Sequence, residues 1–306
     1  MPDERPEHVL VRTELAAVCG SDLHTLHDHP EASFPRSPGC SGHECVGIVA
    51  SSASALPGLS AGQPVLVIPP DDNGFAEYLS VEPLDLIPLP EGMTLEQGLL
   101  AQQLGTVLHC LKKLDNVVGK TVVVVGQGPA GLLFTTLLSQ MGAARVVGVD
   151  RIDHRMALAR RMGATHVVHA DESDPVEAVS EITHGRMADV VVEAVGKAET
   201  INQCAALVRS KGSVALFGVP KSPQLTLAYD EFFRRQAVLF FSVHTQSEAG
   251  HWPFRLALDL LARGRVDLSG LATHRLPFRR IDEAFRLARS PEDGAVKVLL
   301  QFTADP

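Results

Sequence analysis

Apolar and polar positions alternate differently in different parts of the chain. Gly98 to Leu114 is apolar at helical spacing, and beyond it short apolar runs trade places with amphipathic stretches. The runs predict strands over Thr121–Val125, Val146–Asp150, His166–His169, Asp189–Glu193, Ser213–Gly218 and Val238–Val243. Helices are expected to begin near Gly131, His154, Pro175, Ala198 and Glu231. Strands alternating with helices predict an α/β chain with a doubly wound parallel sheet. Before Gly98 the pattern is different. Short runs such as Val9–Arg12, Cys45–Ala50 and Val65–Ile68 lie among frequent glycines and prolines, which predicts a mainly β region. After the alternating section come two expected helices, Trp252–Arg263 and Ile281–Arg289, and a strand, Val296–Phe302.

The most informative stretch is TVVVVGQGPAG, residues 121–131. A strand runs into Gly126, Gly128, Pro129, Ala130 and Gly131, and an apolar helix follows. In a dinucleotide site of this form the first glycine makes the tight turn, the second admits a pyrophosphate and the third lets helix and strand pack closely. The free N–H groups and positive dipole end of the helix face the phosphates. Asp150 ends the next strand 19 residues after Gly131, where a carboxylate accepts hydrogen bonds from the adenosine ribose. A glycine turn alone is weak evidence. Here the strand, the helix and the acid all agree, and a dinucleotide cofactor is expected. Arg155 is near enough to Asp150 to touch the same ribose, while Arg160 and Arg161 read as a solvated helix face.

Composition narrows the field. With 45% hydrophobic and 21% charged residues, the 306-residue chain reads as globular and long enough for two domains. A net charge of -9 argues against nucleic acid as a partner. No apolar run approaches the ~18 residues of a membrane span. The opening MPDERPEH lacks the basic and apolar regions of a signal peptide, and five cysteines suit a reducing cytosol, so a cytoplasmic protein is expected.

Cys19-Gly-Ser-Asp-Leu-His24 and Gly42-His43-Glu44 form a second constellation. Thiolate and imidazole are good zinc ligands, and a catalytic zinc keeps three protein ligands and one open position. Alone, Cys19 suits a core and His43 a turn. Further matches lie in PGCSGHECVGIV (38–49), GFAEYLSV (74–81), ADVVVEAVG (188–196), GSVALFGVP (212–220) and IDEAFRLA with KVLL (281–300). On these motifs the chain resembles the zinc-dependent medium-chain alcohol dehydrogenases, near the sorbitol and threonine dehydrogenase branches.

The resemblance implies a GroES-like catalytic domain from residues 1–104 and 244–306. A Rossmann domain, residues 105–243, is inserted, and the active site lies in the cleft between them. Residue by residue, it implies Cys19 and His43 as zinc ligands and Ser21 as the hydroxyl that hydrogen-bonds the substrate oxygen. His24 becomes the outer end of a proton relay, and Asp22 the carboxylate that orients the liganded histidine. A helix-start acid is the plainer reading of Asp22. Val195 and Gly218, at strand ends, fall beside the nicotinamide.

The chain departs from the family in three respects. The four-cysteine lobe for a structural zinc is absent, so one zinc is expected. The opening β-hairpin is absent too: either the fold tolerates the loss or the start of the sequence is incomplete. At the usual third-ligand position, a cysteine or glutamate, stands Gln102. Glu44 is expected to be the third ligand, because a carboxylate makes the site neutral and an amide is a poorer donor. In the sorbitol branch the matching glutamate is a ligand. The alternative keeps Glu44 behind the site, with Gln102 or Cys40 completing it. His27 and His29 read as a solvated loop, and Cys45, Cys110 and Cys204 as packing.

The expected function is hydride transfer between NAD and a small-molecule secondary alcohol or polyol, giving a ketone. Asp150 favours NAD, because its charge repels a 2′-phosphate. A zinc-free quinone or enoyl reductase and a non-catalytic nucleotide-binding protein are the alternatives. The apolar edge Val238–Val243 predicts self-association, as a homodimer or homotetramer.

Overall fold

The computed structural model describes residues 2, 7–27, 34–52, 59–290 and 293–302. His29 lies outside the described residues, as does the side chain of His27. The chain divides into two units, Met1–Thr106 with His244–Pro306, and Val107–Val243.

The first unit is built on a 7-stranded sheet. Its central strand β1 (Val9–Val18) pairs antiparallel with β2 (Cys45–Ser52), β4 (Tyr78–Val81) and β13 (Lys297–Gln301). β3 (Pro64–Val67) and β5 (Leu86–Pro88) extend the sheet beyond β2. β12 (Ala272–Pro277) lies parallel to β13 on the other side. β1 outruns its predicted end at Arg12. Its second half, TELAAV, has weak strand preference, but Leu15–Val18 pair with Gln301–Val298 and Leu15 and Ala16 with Val46 and Cys45. Pairing on both sides overrides propensity here. β5 and β12 were not expected; both end in proline.

α1 (Gly20–His27) follows β1 after a single residue, Cys19. α9 (Ile281–Arg289) buries Ala284 and Phe285 against the sheet, and the Phe285 ring meets Phe75 edge-on at 5.7 Å. α2 (Leu95–Leu111) carries the chain toward the second unit. It starts three residues before Gly98 because Thr94 and Gln97 form a capping box. Thr94 Oγ1 accepts from the Gln97 N–H, and Gln97 Oε1 from the Thr94 N–H. α8 (Trp252–Ala262) stands where its pattern predicts it.

The second unit is a 6-stranded parallel sheet in the order β11-β10-β9-β6-β7-β8. Its strands are β6 (Thr121–Val125), β7 (Arg145–Asp150), β8 (His166–His169), β9 (Ala188–Glu193), β10 (Val208–Leu216) and β11 (Val238–Phe241). Between them run α3 (Pro129–Gln140), α4 (Asp153–Arg161), α5 (Pro175–Thr183), α6 (Ala198–Leu207) and α7 (Tyr229–Arg235). Val122, Val123 and Val124 are fully buried, as a strand covered on both faces requires. β10 begins earlier than expected, with its pairing to β9 interrupted between Val208 and Ser213. Strand order reverses between β6 and β9, and doubly wound sheets bind ligands at the carboxyl ends of strands at such a switch point.

Candidate metal and cofactor sites

The metal cluster grows from β1 and the two elements that follow it. Cys19 leaves β1 and is fixed at once by Asp22, whose Oδ2 accepts from the Cys19 N–H at 2.8 Å. Asp22 is fully buried at the start of α1. Its Oδ1 lies 3.2 Å from His43 Nδ1, so the carboxylate holds both residues. The His43 Nε2 faces the other way, 3.4 Å from Ser21 Oγ. His24 stands one turn further along α1, half-buried.

Cys19, His43 and Glu44 each offer a ligand atom within 4.8 Å of the others. Among the described residues this cluster does not include Cys40, which lines an apolar hollow with Leu26, Phe75 and Phe285. Gln102 is buried on α2.

Lys297 was not expected at the site. It opens β13, is fully buried, and its Nζ lies 2.6 Å from both carboxylate oxygens of Glu44. The register explains the meeting. β1 lies between β2 and β13, with Ala16 opposite Cys45 and Val18 opposite Val298. Glu44 and Lys297 are the neighbours of those partners. A lysine inside the apolar run Ala295–Leu300 was the sequence signal for a buried counter-ion.

Burial works against the Lys297 ammonium, but Glu44, with Cys19 and Asp22, outweighs it and pushes the pKa up. Burial likewise opposes a charge on His43. The nearby Asp22 and Cys19 prevail and hold the imidazole well above its ordinary value in the metal-free chain. With Cys19 as thiolate and His43 neutral, the forms in which both bind metal, three negative groups (Cys19, Asp22, Glu44) face one positive, Lys297. A divalent cation cancels the excess. The donor set suits zinc, since thiolate, imidazole and carboxylate are its usual ligands and Asp22 supplies the outer carboxylate that orients the imidazole.

In the second unit the glycine turn takes its predicted form. Gly126 has φ +90°, and a Cβ on Gly131 would lie 1.8 Å from the Gly126 carbonyl oxygen. The space in front of Gly128 is open, with the Arg155 guanidinium at its margin. Gly128 leads into α3, whose first residues are Pro129 and Ala130. Gln127, between the glycines, is fully buried. Its Nε2 donates to the Val124 carbonyl and its Oε1 accepts from Thr135 Oγ1, pinning the loop to strand and helix.

Asp150 ends β7 and bonds to backbone. Oδ2 accepts from the Gln127 N–H at 2.5 Å, and Oδ1 from those of Arg151 and Ile152. Arg151 turns away to Asp171, Nε to Oδ2 2.8 Å. Arg155 stays on the turn side with no partner for its buried Nε, and burial lowers its pKa against the pull of Asp150. Glu193, at the end of β9, was also missed. It is fully buried and accepts from the Val195 and Gly196 N–H groups and from Thr200 Oγ1. Gly218 N–H donates to the Glu193 carbonyl. Glu193 thus fixes the strand ends that carry Val195 and Gly218.

A thiolate–imidazole–carboxylate cluster in one unit and a dinucleotide turn in the other define a metal- and nicotinamide-dependent dehydrogenase. Residues 5–91 match the alcohol dehydrogenase GroES-like domain, and residues 129–263 the zinc-binding dehydrogenase family. The chain belongs to the zinc-dependent medium-chain alcohol dehydrogenases and is an oxidoreductase of alcohols. It is similar to L-threonine 3-dehydrogenase of Bacillus velezensis, 27% identical over 97% of this chain and 92% of that one. Its fold matches alcohol dehydrogenase TADH from Thermus sp. ATN1, with TM-score 0.83, 28% identity, and 98% and 94% of the two chains covered. A protein described as a zinc-binding dehydrogenase from Sinorhizobium meliloti, bound to NADP, matches with TM-score 0.84 and 27% identity over 98% and 94%. No helix among the described residues is long and apolar enough to cross a membrane.

Proposed function

We propose that the protein interconverts a secondary alcohol or polyol and its ketone, with NAD as cofactor and a single zinc held by Cys19, His43 and Glu44. The charge balance carries this reading. Once His43 gives up its proton to bind metal, three acidic groups against one buried lysine leave the excess that one divalent cation cancels, and Glu44 belongs to that set. When bound, zinc supplies a Lewis acid for the substrate oxygen and NAD accepts the hydride. The chain's own residues do the rest. Asp22 orients His43. Ser21 Oγ, beside His43 Nε2, accepts the hydroxyl proton, and His24, one turn along the same helix, takes it outward. Metal analysis of Glu44→Ala and Gln102→Ala tests the ligand set. Zinc should be lost from the first and kept by the second; the reverse result overturns the assignment.

NAD is preferred to NADP because Asp150 carries its charge at the ribose end and Arg151 is committed to Asp171. Arg155 remains, and in this reading it contacts the adenosine ribose. Comparing kcat/KM for the two cofactors decides the matter, and Asp150→Ser should narrow the gap. Self-association through β11 follows from its bare apolar edge, where Val238 and Phe241 are 58% and 70% exposed. Light scattering should give a dimer or tetramer at micromolar protein; a monomer defeats the idea. All five cysteines are free thiols, which suits a reducing cytoplasm.

A further inference from the structure

Asp22 is one half of the device that aims His43. The other half lies two residues before the histidine, in the sequence Cys40-Ser-Gly-His43. Ser41 is buried, 4% exposed. Its hydroxyl donates to Asp22 Oδ1 at 2.9 Å, and its carbonyl oxygen lies 3.2 Å from His43 Nδ1. The imidazole N–H therefore has two acceptors, the Ser41 carbonyl and Asp22 Oδ1, and Ser41 touches or supplies both. Asp22 Oδ2 is already taken by the Cys19 N–H. With a donor on each oxygen, the carboxylate cannot turn about its last bond without breaking one. Removing the Ser41 hydroxyl leaves Oδ1 held only by the imidazole, the ring it has to aim, so on that side the carboxylate follows His43 instead of setting it.

We propose that Ser41 is a positioning residue of the metal site. Its hydroxyl locks Asp22 and its carbonyl shares the Nδ1–H of His43, so that Nε2 points at the metal. This rests on the zinc reading above. Outer partners of this kind are worth roughly 10–100-fold in metal affinity. Ser41 acts through one hydroxyl on a carboxylate that remains, so the low end applies.

The test compares wild type with Ser41→Ala, Ser41→Thr and Asp22→Asn. Two readouts are used: zinc affinity by competition with a chromophoric chelator, and the visible absorption of the cobalt-substituted protein. Ser41→Ala should weaken zinc about tenfold and shift the cobalt bands, and Ser41→Thr, which keeps the hydroxyl, should restore both. In the Asp22→Asn background Ser41→Ala should add nothing, because its hydroxyl works through Asp22. A mere packing role predicts unchanged cobalt bands. Equal zinc affinity and equal bands in wild type and Ser41→Ala overturn this assignment alone, as do additive effects with Asp22→Asn. A wild type that binds neither metal overturns the zinc reading and this assignment with it. If Ser41→Ala does not fold, Ser41→Gly, which keeps the carbonyl and loses the hydroxyl, carries the same comparison, and wild-type binding there overturns the proposal.

Discussion

Buried polar groups in the Val107–Val243 unit bond mostly to backbone a few residues away. In the first unit several bond instead to other side chains far along the chain. Gln127 reaches Val124 and Glu193 reaches Val195 and Gly196, all within three residues. Glu44 meets Lys297 across 253 residues, and His251 meets Asp85 across 166. The first kind of contact satisfies a buried carboxylate with fixed backbone dipoles and shapes a turn around a ligand. The second brings charged side chains together from distant parts of the chain, and around Glu44 and Lys297 it gathers Cys19, His43 and Asp22 into a cluster that suits a cation.

The contrast can be broken at its strongest point. Lys297→Met leaves Glu44 buried without its counter-ion, which should cost about 3–5 kcal/mol in a denaturant titration of the metal-free protein. Adding Glu44→Leu should recover most of the stability and none of the zinc binding, because removing both charges also removes the site. A loss under ~1 kcal/mol for Lys297→Met alone would mean that water or another group reaches Glu44.

In the second unit the expected effects are smaller and local. Glu193→Ala strands the Val195 and Gly196 N–H groups, and the cost should be about 1.5–3 kcal/mol. NADH affinity, read by fluorescence, should fall with it. Burial already pushes the Glu193 carboxyl pKa up against its hydrogen bonds, so part of the carboxylate's gain is spent on desolvation. Gly131→Ala should cost roughly 1–3 kcal/mol, because the new methyl overlaps the Gly126 carbonyl oxygen and pushes α3 from β6. Zinc content should not change in either variant.

The smallest effect separates the units by pH. In the metal-free chain the His43 pKa is raised, so its charge contributes stability that is complete below the ordinary value near 6.5. That contribution is lost as pH rises through the raised value. Tm of the metal-free protein should therefore decline above neutral pH, while zinc-loaded protein, in which the metal takes the place of that proton, should hold level. Zinc uptake should release protons into a weak buffer, read with an indicator dye. Level Tm without zinc would show that Asp22 does not act on His43 as described.

Sequence reading reached whatever depends on near neighbours. Gly126, Gly128 and Gly131 with Asp150 lie within one βα unit, and Cys19, Ser21 and Asp22 within one turn of chain, so their chemistry shows in their spacing. Glu193 also lies near its partners, but a glutamate at the end of an apolar run reads like any strand terminus. Lys297 stands out within its apolar run, but which carboxylate it meets was out of reach for a different reason. Its partner is set by the register of β2 and β13 on β1, and that register is fixed by pairing along the whole sheet. Ser41 gave no signal at all, since a serine in a glycine-flanked turn fits many turns. The second half of β1 was hidden because TELAAV gains its strand form from β13 and β2 rather than from itself.

The pairing of β1 with β13 also bears on how the protein is made. Domains fold as they leave the ribosome, earlier segments first. The Val107–Val243 unit is continuous and can close while synthesis goes on. β1 must wait for β13, and Glu44 must wait for Lys297, until nearly three hundred residues have been translated. For that interval Glu44 has no counter-ion, and Cys19 and His43 have no finished sheet behind them. A message cut short before Lys297 should thus give a chain with a sound nucleotide domain and no metal site, one that protein quality control would meet as half-folded.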